Sequence, residues 1–130
     1  ERDFHYRPDA GATFAVPETD PENPGGWIYV SNAEVWESRK GGVGAITFDR
    51  DGNIIDYKMV LTGTTGNCGG GKTPWGTWIS CEELVGYGRI YEVDPFGQSS
   101  SRRTALHGDT RGAFESFAYD VRDVDQPRFF

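Results

Sequence analysis

Between Thr65 and Glu83 the chain reads T-G-N-C-G-G-G-K-T-P-W-G-T-W-I-S-C-E-E, and two kinds of chemistry are written into it. Gly66 through Gly71, Lys72 and Thr73 match the phosphate-cradling pattern G-x-x-x-x-G-K-[ST], while Cys81, Glu82 and Glu83 offer sulfur and oxygen donors for a metal ion. The first reading fails on its surroundings. A phosphate loop needs a helix beginning at the Lys-Thr pair, because the amides of the helix N-terminus hold the phosphates. Here Pro74 pushes Thr73 out of the α region, and Gly76 costs about 1 kcal/mol relative to Ala in a helix interior. Thr77-Trp78-Ile79-Ser80-Cys81 is β-branched and aromatic, which is a strand composition. Nucleotide binding is therefore not expected.

For the metal reading, strand alternation puts Thr77, Ile79, Cys81 and Glu83 on one face and Trp78, Ser80 and Glu82 on the other. A thiolate flanked by carboxylates suits a hard or borderline cation such as iron, with calcium taking oxygen ligands. Cys68 and Cys81 are the only cysteines, too few for a closed structural zinc site. Taken alone, they fit either a disulfide across the Gly-rich loop or two buried free thiols. Gly69-Gly70-Gly71 likewise fits a close backbone approach to an ion or anion, or a flexible hairpin connection. The two histidines, His5 and His107, sit in no ligand pattern.

The elements that must position these groups are strands. With 18 glycines and 7 prolines among many aromatic residues, the composition is that of an all-β protein. No window shows sustained apolar spacing at helical period. Strands are expected at Trp27–Val30, Val43–Phe48, Ile54–Leu61, Thr77–Glu82, Arg89–Val93, Ser116–Tyr119 and Arg128–Phe130. Asp49-Arg50-Asp51-Gly52-Asn53 forms the turn between the second and third of these. Aromatic strand starts recur near residues 27, 78 and 129, and each of the first two is followed by carboxylates and a Gly-led strand ending in Asp. A period near 50 residues with about four strands per unit is the signature of propeller blades. The expectation is thus a partial β-propeller domain over residues 1–130, about two and a half four-stranded blades that need further blades for closure.

A formal net charge of −7 repels nucleic acid and anionic membrane surfaces, and no apolar run is long enough to cross a bilayer as a helix. Neither partner is expected. The same charge would repel a phosphate substrate unless bound cations reverse it locally.

The segment N-C-G-G-G-K-T-P-W-G-T-W-I-S-C-E-E resembles the signature N-C-x-G-G-x-T-P-W-G-T-x-x-T-C-E-E of the PhoX-type alkaline phosphatases, departing mainly at Ser80. Ser31-Asn32-Ala33-Glu34 is similar to that family's N-H-E, with Ala33 in the histidine position. Gly112–Ala118 is similar to its G-R-F-x-H-E-A, and Arg7-Pro8-Asp9-Ala10 to its R-P-D-G. The resemblance implies a β-propeller, of which this chain is an N-terminal part. It further implies iron and calcium ions at the propeller axis, a phosphomonoester substrate and a periplasmic or secreted location. Carried over residue by residue, it assigns the metal-ligand role to Glu34, Cys81, Glu82 and Glu115, with Glu83 a further candidate. Asp9 either lies near the centre or serves a turn, and Lys72 and Arg111 are the basic residues available to a phosphate. Ala33 keeps a second expectation open, a non-catalytic calcium-binding or protein-interaction propeller.

Overall fold

The computed structural model describes residues 3–130 and contains no helix among them. β1 (Pro8–Ala15), β2 (Trp27–Ala33), β3 (Gly41–Phe48) and β4 (Ile54–Thr64) form an antiparallel meander in chain order. β5 (Asn67–Lys72), β6 (Trp78–Glu82), β7 (Ile90–Val93) and β8 (Arg102–Arg103) form a second. β9 (Tyr119–Asp120) and β10 (Arg128–Phe129) make a two-stranded hairpin. The described residues form no closed ring of sheets.

Local chemistry explains the connections. In the β3–β4 hairpin, Asp49 Oδ1 accepts the amides of Asp51 and Asn53 at 2.9 and 2.8 Å, and its Oδ2 accepts Asn53 Nδ2 at 2.8 Å. One carboxylate thereby satisfies the turn that the D-R-D-G-N sequence announces. The β5–β6 connection is equally short. Thr73 N donates to Thr77 O at 2.9 Å, and Thr73 Oγ1 accepts the Thr77 amide at 2.9 Å, closing a hairpin around Pro74-Trp75-Gly76.

The two meanders pack face to face. Phe14, Val16, Ile28, Val30, Val43, Ala45 and Leu61 of the first sheet and its flank meet Trp78 and Val93 of the second in one buried cluster. Alternation along β6 then turns Ile79 and Cys81 to the opposite face, where Ile90 completes a smaller core covered by Leu106, Phe114 and Phe117. Trp27 and Trp78 both open the second strand of their meander. Trp78 is buried between the sheets, whereas Trp27 is half-buried and stacks on Phe48 at 3.9 Å between ring centroids.

Two of the first-strand ladders carry a bulge at matching places. In β1 the pairing steps from Pro8↔Ala33 to Gly11↔Ser31, so Asp9 and Ala10 oppose Asn32 alone. In β5 it steps from Asn67↔Glu82 to Gly70↔Ser80, so Cys68 and Gly69 oppose Cys81 alone. A bulge bends its strand and re-aims the extra residue, and here the re-aimed residues include an aspartate and a thiol.

The phosphate-loop match dissolves in this fold. Lys72 ends β5, and its Nζ donates to Thr13 O at 2.8 Å while lying 4.7 Å from the Phe14 ring centroid, which staples the edges of the two sheets. Titration of the full-length protein with ATP or GTP should accordingly give no saturable signal. Lys72→Ala should lower stability by about 1 kcal/mol or less, the scale of one exposed hydrogen bond and cation–π contact. Saturable binding that this substitution abolishes would contradict the assignment.

Candidate metal centre

The site is assembled by backbone approach. A Cβ on Gly69 would sit 1.1 Å from Glu115 O, one on Gly71 2.2 Å from Phe117 O, and one on Gly70 2.0 Å from Ile79 O. The glycine run is therefore a strand against which segment 113–117 lies almost in backbone contact, and neither a flexible connection nor, on this face, an anion cradle. Glu83 pairs with Ala113 in an isolated bridge, and Phe114 N donates to Glu82 O at 3.0 Å, so the segment runs directly beside the end of β6.

This arrangement gathers Cys68, Glu83 and Glu115, whose donor atoms all lie within 4.8 Å of one another. That span fits opposite ligands of one cation with bonds of about 2.0–2.6 Å. Cys68 Sγ is 3.7 Å from Glu115 Oε1. Burial, first, and then the carboxylates of Glu115, Asp9 and Glu83 push the Cys68 thiol up to about 12, partly opposed by the Gly69 amide. The side-chain charges that raise it are all carboxylates. A buried thiol facing three carboxylates is a donor set that a cation would relieve. The mixture of sulfur and oxygen suits a borderline transition ion better than zinc in a closed site.

The other carboxylates and the second thiol lie in different surroundings. Glu82 is buried, its Oε1 accepting the Thr65 amide at 2.8 Å and its Oε2 the Arg89 amide at 3.0 Å. Burial raises its pKa, with those two amides pulling the other way. It clamps the loops on either side of the β5–β6 hairpin, while its neighbour Glu83 points across the pleat towards Cys68. Cys81 is fully buried, with Sγ 3.7 Å from Ser116 O, and burial pushes its thiol up to about 12. Both cysteines are free thiols, which decides between the two readings of the pair. Glu34 follows β2 half-buried, its amide donating to Arg7 O at 2.9 Å, and is not one of the trio. Of the four ligands assigned by resemblance, the structure brings Glu115 into the cluster and joins it to Cys68 and Glu83.

The signal for Cys68 was its bulge, which depends on partner register and cannot be read along one strand. The signal for Glu83 was legible, since alternation separates Glu82 from Glu83. Arg111 is exposed, and His5 is half-buried with Nε2 3.1 Å from Asn32 O and Nδ1 3.1 Å from Tyr57 Oη. Burial lowers the His5 pKa.

Comparison with known proteins now bears on this geometry. The family model described as "Alkaline phosphatase PhoX" matches residues 42–127, about two thirds of the chain. The chain belongs to the PhoX alkaline phosphatase family. The match contains Cys68, Cys81, Glu82, Glu83 and Glu115 and leaves Asp9 and Glu34 outside it. No curated protein and no solved structure matches the chain.

Two outcomes follow from the geometry. Gly69→Ala should force segment 113–117 away from β5, costing about 1–3 kcal/mol as an overpacking change and separating Glu115 from Cys68; unaltered unfolding midpoint and metal content would contradict the contact. Because the uncharged thiol is the stable form at neutral pH, a cation must displace its proton. Metal affinity of the full-length protein should therefore rise with pH between about 6 and 9, by up to about tenfold per unit for one released proton. Calorimetry in buffers of different ionisation enthalpy measures that proton directly.

Proposed function

We propose that the chain is an N-terminal part of a metal-dependent phosphomonoesterase with propeller architecture. The observation that carries this reading is the trio Cys68, Glu83 and Glu115, whose donor atoms converge within 4.8 Å in a chain of the PhoX family. In this reading Cys68, Glu83 and Glu115 hold an iron ion, and Asp9, re-aimed by the β1 bulge, adds a carboxylate for iron or calcium. The bound cations would supply charge neutralisation and polarisation of the phosphate for in-line displacement at phosphorus.

The chain's own residues then have separable tasks. The β5 bulge presents the thiol, the end of β6 presents Glu83, and segment 113–117 brings Glu115 from a part of the sequence more than 30 residues away. Glu82 fixes the loops on both sides through backbone amides. Paired four-stranded meanders support the propeller reading, since each presents one face to its neighbour and requires a similar sheet on the other.

The test is metal analysis of the full-length protein combined with hydrolysis of p-nitrophenyl phosphate. Cys68→Ser should remove iron and turnover together, whereas Cys81→Ser should lower stability while leaving metal in place. The reverse pattern would transfer the thiol role to Cys81. Stoichiometric metal without turnover in the unaltered protein would favour a non-catalytic cation-binding propeller.

A further inference from the structure

Asn32 is a fully buried amide at the seam between the two meanders, opposite the β1 bulge. Its Oδ1 accepts Trp78 Nε1 at 2.9 Å and Ser80 Oγ at 2.9 Å, and its Nδ2 donates to Cys68 O at 2.7 Å and Gly69 O at 2.8 Å. The partners fix which end is which. An indole N–H can only donate, so it must face the amide oxygen; carbonyls can only accept, so both must face the nitrogen. Among the described residues no buried side-chain polar atom lacks a partner. The Asn32 side chain is held from behind as well, through Ser80, whose hydroxyl also accepts Asn67 Nδ2 at 2.9 Å.

The two carbonyls that Asn32 grips belong to the bulged pair Cys68 and Gly69. A trans peptide is planar and points its C=O and N–H in opposite directions. Drawing the Cys68 carbonyl towards Asn32 therefore turns the Gly69 N–H away from Asn32, and this amide lowers the Cys68 pKa against the effect of burial. We propose that Asn32 is a positioning residue for the metal centre, orienting the Cys68–Gly69 peptide so that the Gly69 amide donates to the thiolate. The inference rests on the assignment of Cys68 as the metal thiol. A hydrogen bond to a coordinating thiolate withdraws electron density from it and tunes both affinity and redox potential.

The discriminating variant is Asn32→Asp, which keeps an acceptor for Trp78 and Ser80 and replaces the donor facing the two carbonyls. In the iron-loaded full-length protein it should weaken iron binding by about 10- to 100-fold and shift the thiolate-to-iron charge-transfer band. Ser80→Ala, which removes a neighbour of Asn32 without touching its donor, should leave the band in place at comparable loss of stability. Asn32→Ala, measured well below its unfolding temperature, carries the same expectation should the Asp variant not fold. The unaltered protein supplies an independent readout: with the Gly69 amide donating to the thiolate, preparation in D2O should shift the iron–sulfur stretch seen by resonance Raman. An Asn32 variant with wild-type affinity and band, or no isotope shift, overturns the proposal. A Cys68→Ser protein that keeps both iron and the charge-transfer band instead overturns the assignment of Cys68 on which it rests.

Discussion

The near-contact of two backbones, β5 against segment 113–117, is the constraint from which the candidate site follows. Side chains at Gly69 or Gly71 would occupy space already taken by the Glu115 and Phe117 carbonyls. With glycine there, the late segment settles on the strand, its Phe114 and Phe117 close the core over Ile79, Cys81 and Ile90, and Glu115 arrives beside Cys68. The apolar contacts reward the approach, while the carboxylate it delivers accepts from the uncharged Cys68 thiol and is repelled by the nearby Glu83 carboxylate. Packing energy is thus used to hold together groups that would separate on electrostatic grounds.

A second, polar seam lies on the opposite face of the same strands. Thr64, Asn67, Ser80, Trp78 and Asn32 form a connected hydrogen-bond network between the sheets. Burying so many amide and hydroxyl groups is tolerable only because each is satisfied. Such a network specifies register in a way that an apolar interface does not: a slip of one residue would leave several donors unpaired. Cys68 therefore sits between an apolar closure on one side and a register-fixing polar seam on the other. Glu82, adjacent in sequence to a candidate ligand, ties the scaffolding together, each of its oxygens accepting a backbone amide.

The all-β class, the D-R-D-G-N hairpin and the failure of the phosphate-loop match were all legible in the sequence, because each depends on residues a few positions apart. Turn chemistry at Asp49 and the helix-breaking Pro74 and Gly76 act locally. Family membership was legible for the same reason, the signature from Asn67 to Glu83 being one continuous stretch, and the family model covers it. Alternation along β6 was also available, and it already placed Glu83 and Glu82 on opposite faces. The different surroundings of these two neighbours follow that pleat.

What tertiary structure decided was which thiol faces the carboxylates. Cys68 and Cys81 look alike as sequence, one in a glycine-rich run and one at the end of an obvious strand, and strand regularity favours Cys81. The decision lies in a one-residue bulge, whose existence depends on how Asn67 and Gly70 pair with Glu82 and Ser80. It lies equally in a segment more than 30 residues downstream that covers Cys81 with the Ser116 carbonyl and brings Glu115 to Cys68. Asn32 illustrates the same division. Its type is visible in the chain, but its role comes from four partners contributed by two other strands. Local composition fixes which segments become strands; only the register and stacking of distant strands fix which side chains share a site, because those energies arise between residues that the sequence keeps apart.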